Sequence, residues 1–273
     1  MKKILNLLKR LYVFFNKKIV KVETITQINY GEILKGKKIL ITGGTSGIGL
    51  ALAKKCLNEG ATVVITGRSL ERLENISKEI SNENLKILEW DVKNISEIEK
   101  NIEKTKKLMN GIDILFNNAG VFLGKYNLEV TEKEYDDILD TNLKGNYFIL
   151  QKMAKFFIKN SIKGKIINIA SIAGYQSAYE PYGISKWGGV GLTKGMAKYL
   201  IKDGIIVNGI APGTVATPMT KINSKDDIYF ARSLDKRAAL PEEIAEIGCF
   251  LASDVSNHII GQVIVCDGGE TLL

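Results

Sequence analysis

The sequence predicts an α/β fold: a doubly wound parallel sheet of about seven strands, with helices on both faces and a basic amphipathic N-terminal extension. Two observations carry this. Short runs rich in β-branched residues recur along the chain, separated by longer stretches of helical periodicity. Most of these runs are continuously apolar rather than alternating, as strands covered on both faces must be.

In order, the strand candidates are "KKILIT" at 37–42, "ATVVIT" at 61–66, "LKILEW" at 85–90, "IDILFN" at 112–117, "GKIINIA" at 164–170, "GIIVNGIA" at 204–211 and "GQVIVC" at 261–266. Helical stretches fall between them, near 47–59, 69–81, 94–109, 131–160, 181–203 and 241–252. Residues 214–238 are polar and lack clean periodicity, which marks a loop or lid over a site. At 273 residues the chain is long for one domain and short for two. The expected division is an extension and connector over 1–35, then a single domain over 36–273.

The net charge of +8 is concentrated at the front. Lys2, Lys3, Lys9, Arg10, Lys17, Lys18 and Lys21 are seven of the 38 basic residues, and 1–21 holds no acid, so the body is nearly neutral against its 30 acidic residues. A nucleic-acid-binding fold is therefore not expected. Within the leading segment Ile4, Leu5, Leu8, Leu11, Tyr12 and Phe15 gather on one side of a helix, with Lys2, Lys9 and Arg10 opposite. The segment is too short and too charged to span a bilayer, and no small-residue cleavage site follows it. Two readings stay open. It packs on the domain or a neighbouring subunit, or it makes peripheral contact with an anionic membrane, where each basic residue adds about 1 kcal/mol.

Cys56, Cys249 and Cys266 lie far apart, and His258 has no neighbour at metal-ligand spacing. This argues for a reducing compartment and no metal site, hence a cytoplasmic location, with the inner face of the membrane as the variant if residues 1–21 bind there.

The first strand runs into "TGGTSGIG" at 42–49, directly before a helix. Glycines at a strand-to-helix turn let the backbone approach a pyrophosphate, which the free N–H groups and positive helix end stabilise. Gly43, Gly47 and Gly49 supply the turn, the close approach and the tight packing, with Thr45, Ser46 and Ile48 between them. The domain over 36–273 thus reads as Rossmann-type and dinucleotide-binding. The second strand ends in "GRSLERL", where a carboxylate would select NAD and an arginine can hold a 2′-phosphate. Arg68 stands there, followed by Ser69 and Arg72, so NADP(H) is favoured over NAD(H). The competing reading is a surface arginine at a helix start.

Further along come "NNAG" at 117–120, "IASIAG" at 169–174 and "YGISK" at 182–186. Together with the glycine turn, and in this order, they resemble the short-chain dehydrogenase/reductase family over about residues 36–270. The TGxxxGxG spacing is similar to its shorter, single-domain branch. The resemblance implies an oxidoreductase that interconverts a carbonyl and a secondary alcohol by hydride transfer, commonly as a homo-oligomer.

In that family the tyrosine of YxxxK is the acid/base, which here is Tyr182. An alkoxide developing from a ketone needs a proton, and a phenol of unperturbed pKa about 10 serves near neutral pH only if a nearby cation favours its phenolate. On a helix begun by Pro181, residues 182 and 186 share a face. The resemblance gives Lys186 that charge and a bond to the nicotinamide ribose. Ser171 matches the serine that orients the substrate oxygen; it precedes Tyr182 by 11 residues, a tighter spacing than is usual in the family. A capping or turn residue is the competing reading for it. Asn142, in "LDTNLKGNYF", matches the asparagine that holds a water in a proton relay. Asp91 and Val92 in "EWDV", with Asn118, resemble residues around the adenosine. In "NGIAPGTVATPM", Pro212 and Gly213 shape a turn, and Val215 and Thr217 match contacts to the carboxamide or pyrophosphate.

Two other function classes compete. One is a membrane-recruited cofactor-binding or scaffold protein of the same fold without turnover; against it, a retired enzyme has no chemical reason to keep all four of Ser171, Tyr182, Lys186 and Asn142. The other is an enzyme of this fold that is not a net oxidoreductase. The TGxxxGxG spacing weighs against that one. The substrate stays open to a small carbonyl or alcohol, because this fold serves many.

Overall fold

The computed structural model describes residues 31–123, 128–223 and 225–272. The basic leading segment over 1–21 lies outside them. Strands β1 (Lys38–Ile41), β2 (Thr62–Gly67), β3 (Leu85–Glu89), β4 (Ile114–Asn117), β5 (Lys165–Ile169), β6 (Ile206–Pro212) and β7 (Val263–Cys266) form one sheet in the order β3-β2-β1-β4-β5-β6-β7. Every pairing is parallel. Strand order reverses between β1 and β4, which places a crevice at their carboxyl ends.

The helices are α1 (Gly47–Asn58), α2 (Leu70–Ile80), α3 (Ile98–Met109), α4 (Glu132–Leu139), α5 (Asn146–Lys159), α6 (Pro181–Leu200) and α7 (Pro241–Ala252). Successive strand residues point to opposite faces, so the apolar runs feed two cores at once. Ile39, Ile41, Val63, Ile65, Phe116 and Ile167 pack on one side with Leu52 of α1, Leu73 of α2 and Ile244 of α7. Leu40, Val64, Leu115, Ile166 and Val207 pack on the other with Ile102 of α3, Met153 of α5 and Leu200 of α6. Edge strands β3 and β7 are only partly covered, which is why Lys86 and Glu89 can sit in a strand.

Three features refine the sequence expectation. The stretch 131–160 is not one helix: α4, opened by a capping box between Thr131 and Glu134, passes through a π-helical turn over Asp140–Gly145 before α5 begins. An extra residue accommodated in a helix leaves its apolar pattern nearly intact, so periodicity does not reveal it. The connector is also packed on the body just ahead of Gly36. Leu34 is fully buried and its N–H bonds to Glu59 O at 3.0 Å. Finally, the described residues of the polar stretch 214–238 form no helix or regular strand, yet Ala216, Ile228 and Ala238 within it form their own small buried cluster with Leu240. Among the described residues no helix is long and apolar enough to cross a membrane.

Candidate active site

The crevice at the strand reversal is lined by the glycine turn. Gly43 and Gly47 have φ of 67° and 52°, backbone that L side chains rarely adopt. A Cβ on Gly49 would lie 2.3 Å from Gly43 O, so no side chain fits where α1 meets the turn. The turn is braced from across the reversal: Thr42 Oγ1 accepts from the N–H groups of Asn118 and Ala119, both at 3.0 Å. Asn118 Nδ2 in turn donates to Thr42 O at 2.8 Å and Gly43 O at 3.0 Å. Ser46, the N-cap of α1, makes no side-chain cap bond, and the first turn carries no acid. The N–H groups and positive helix end therefore face the crevice.

A Gly49→Ala substitution is expected to displace the turn, weakening dinucleotide affinity at least about tenfold and lowering stability by about 1–3 kcal/mol, as overpacking does. Fluorescence titration of cofactor and thermal melting check the two effects.

The crevice continues as a cavity of about 310 Å³. At one end it is lined by Arg68, Arg72, Asp91 and Val92, with Gly67 kept bare by Thr45, whose Cγ2 would be 2.7 Å from a Cβ there. Ser69 Oγ caps α2 by accepting from Arg72 N at 3.2 Å. At the other end lie Ser171, Tyr182, Lys186, Pro212, Gly213, Val215 and Thr217. Thr45, Ser46, Gly47, Ile48 and Asn118 line the middle. Glycines without room for side chains, an uncapped helix end and two arginines beyond them fit an elongated diphosphate-bearing dinucleotide.

Asn142, alone among the expected site residues, does not line this cavity; it stands behind it. Its Oδ1 accepts from Val121 N at 2.8 Å, and its Nδ2 donates to Val121 O at 2.9 Å and Ser185 Oγ at 3.3 Å. The side chain is thus committed to holding the loop after β4 at Val121 and α6 at Ser185. Its main-chain carbonyl, in the π turn, accepts from Asn146 Nδ2 at 2.9 Å.

Tyr182 and Lys186 lie one turn apart on α6, with Lys186 Nζ 5.4 Å from the Tyr182 ring centroid. Lys186 is 6% exposed, and Nζ donates to Ile169 O at 3.1 Å. Burial lowers its pKa to about 8. The Tyr182 ring packs edge-on against Phe122, centroids 5.0 Å apart. Ser171 caps the short 3₁₀ turn Ile172–Gly174, its Oγ accepting from Ala173 N at 3.2 Å, and it also lines the cavity beside Tyr182.

Beyond Ser171 and Tyr182 a second cavity of about 450 Å³ opens, walled by Gln176, Ser177, Tyr179, Thr214, Arg232 and Glu270 among others. Three residues here escaped the sequence reading. Glu180, 7% exposed, is the N-cap of α6, and its two oxygens accept from Tyr182 N and Gly183 N, each at 2.7 Å. An acid before a proline at a helix start could have pointed to it. Arg232 and Glu270 meet only through the tertiary fold.

A family profile described as short chain dehydrogenase matches residues 37–228. The chain is 37% identical over 243 residues to a 3-oxoacyl-[acyl-carrier-protein] reductase of Aquifex aeolicus, covering 86% of this chain and 98% of that one. Among solved structures, a short-chain type dehydrogenase/reductase from Mycobacterium marinum superposes with a TM-score of 0.81 at 30% identity, over 88% of this chain and 97% of that one. A 3-ketoacyl-(acyl-carrier-protein) reductase from Brucella melitensis, solved with NADH, gives 0.80 at 29% identity, over 87% and 99%.

Proposed function

The chain belongs to the short-chain dehydrogenase family, and from that premise we propose that it is an NADP(H)-dependent carbonyl reductase with Tyr182 as its acid/base. It is an NAD(P)-dependent oxidoreductase acting on C=O or CH–OH groups of small molecules. One observation supports the finer reading above others: Ser171, Tyr182 and Lys186 share one cavity with the bare glycine turn and its arginines. When bound, the nicotinamide supplies or receives the hydride.

The side chains do the rest. The Ser171 Oγ acceptor side is used by Ala173 N, which leaves its O–H to donate to a substrate oxygen. Tyr182 delivers the proton that the developing alkoxide needs. Lys186 spends one of its three donors on Ile169 O, leaving two for ribose hydroxyls, and its charge favours the Tyr182 phenolate once the proton has left. Asn142, in the π turn before α5, would hold the water that returns a proton through Lys186 from solvent. Glu180 fixes the N-terminal turn of α6, and with it the direction of Tyr182.

Arg68 and Arg72 favour NADP(H), since no acid stands at the end of β2 to take the ribose hydroxyls. Replacing Arg68 with aspartate should lower kcat/KM for NADPH about tenfold to a hundredfold relative to NADH, the loss of a charge-assisted bond worth about 1.5–3 kcal/mol. A wild-type preference for NADH in the same assay overturns the assignment.

The reaction itself is tested by following nicotinamide absorbance over a carbonyl and alcohol panel with both cofactors. A 3-oxoacyl thioester belongs in that panel because the Aquifex relative is a reductase of such a group. Failure of every carbonyl would return the scaffold alternative. Homo-oligomeric assembly is a further part of the proposal, and for residues 1–21 both packing on the domain or a subunit and contact with an anionic membrane face stay open. Light scattering checks the first. Sedimentation with anionic vesicles, against a chain starting near Gly36, checks the second.

A further inference from the structure

Resting on that reading of the site, we propose that Arg232 forms a distal anion subsite in the substrate cavity, held from behind by Glu270, so that the enzyme selects carbonyl substrates carrying a carboxylate or phosphate.

The two carboxylates that line this cavity are not open to a ligand. Both Glu180 oxygens accept backbone N–H groups of α6. Glu270 is 9% exposed; its Oε1 lies 3.6 Å from Arg232 Nε, and the Thr214 N–H also supports the carboxylate. The second oxygen, Oε2, is sealed from solvent without a partner among the described residues, and a Cβ on Gly213 would come within 3.3 Å of it. A substrate cannot reach that oxygen without moving the wall. Glu270 therefore serves Arg232 and not the ligand.

Arg232 is in the opposite condition. Its side chain is 72% exposed, and its ion pair with Glu270 uses only the Nε edge of the guanidinium. A guanidinium carries five N–H donors in a fixed fork, matched to the paired oxygens of a carboxylate or phosphate. Among the described residues lining the cavity it is the single cation. Its place is also set in advance. Leu234 N and Asp235 N both donate to Gly268 O, at 2.9 and 3.2 Å, pinning the polar segment to the turn after β7. Gly268 and Gly269 have φ of 61° and 82°, and a Cβ at either would strike Asp235 or Leu234 at 2.4 and 2.7 Å. The "DGGE" turn thus permits this close seating and carries the carboxylate that backs Arg232. Fixing the backbone beside Arg232 in this way lowers the cost of ordering the loop on binding.

The test compares (ω−1)-oxo acids of increasing length (4-oxopentanoate, 5-oxohexanoate, 7-oxooctanoate) with their methyl esters, in wild type and Arg232→Gln. A second pair, acetoacetyl-phosphopantetheine against acetoacetyl-N-acetylcysteamine, separates a carrier-arm phosphate from a free carboxylate. The wild type should favour the anionic member of at least one pair by tenfold or more in kcat/KM. That ratio should fall at least tenfold in Arg232→Gln, with Arg232→Lys in between. Binding of the same pairs to the cofactor-loaded protein by saturation-transfer NMR gives the same ratio without turnover. No anionic preference in any pair, or an equal loss for both members in Arg232→Gln, overturns the subsite. Charge-selective binding without reduction of any ketone supports the subsite and counts against the carbonyl-reductase reading instead.

Discussion

Replacing Tyr182 with phenylalanine is expected to lower kcat by about a hundredfold to ten-thousandfold, the usual range for a lost general acid, while cofactor affinity changes little. The substitution is clean because the ring is held by packing. Its edge-on contact with Phe122 and the seating of α6 by Glu180 do not involve the hydroxyl. Lys186 keeps its bond to Ile169 O, so the cofactor end of the site survives. Single-turnover kinetics with pre-bound NADPH isolate the chemical step, and a fluorescence titration reports affinity. Turnover near the wild-type rate would remove Tyr182 from the acid/base role.

Lys186→Met should give a different profile, with kcat depressed on a similar scale and cofactor affinity falling about tenfold as well, because charge and ribose donors go together. The same substitution should stabilise the free protein near neutral pH. Burial lowers the folded-state pKa of Lys186 to about 8, whereas the unfolded value is about 10.4. Below about pH 8 both states carry the proton, and the cost of burying the ammonium is present in full. As pH rises from about 8 towards 10.4 the folded state sheds its proton first, so wild-type stability rises across that window. The advantage of the variant, up to about 3 kcal/mol less the lost bond to Ile169 O, should narrow there. Urea titrations of both proteins at pH 7 and pH 10 measure it. An enzyme that becomes sturdier as it becomes inactive is the expected trade at a charged site.

Much of this was legible in the chain. Runs such as "KKILIT" and "GKIINIA" are apolar without interruption because alternate residues enter different cores, and the strands fall within them. The glycine turn could be read because only glycine tolerates the backbone of residues 43 and 47 and the contact at 49. Tyr182 and Lys186 could be paired because they lie one helical turn apart. The rest depends on distance in space. Glu270 follows the last strand and Arg232 sits in a stretch without periodicity, so no local pattern joins them. Asn142 was found by its setting, but the commitment of its amide to Val121 and Ser185 follows from a backbone irregularity that side-chain periodicity does not report.

That irregularity bears on how the chain can change length. A π turn is a helix with one residue to spare, and each residue in a regular helix turns the chain by about 100°. Deleting one residue between Asp140 and Gly145 would let α4 and α5 fuse into one ordinary helix, an outcome favourable to backbone hydrogen bonding. The same deletion would swing Asn142 or its replacement away from Val121 and Ser185. The molecule would remain well folded and lose the support behind α6. This segment is therefore a place where shortening is tolerated by the architecture and refused by the chemistry.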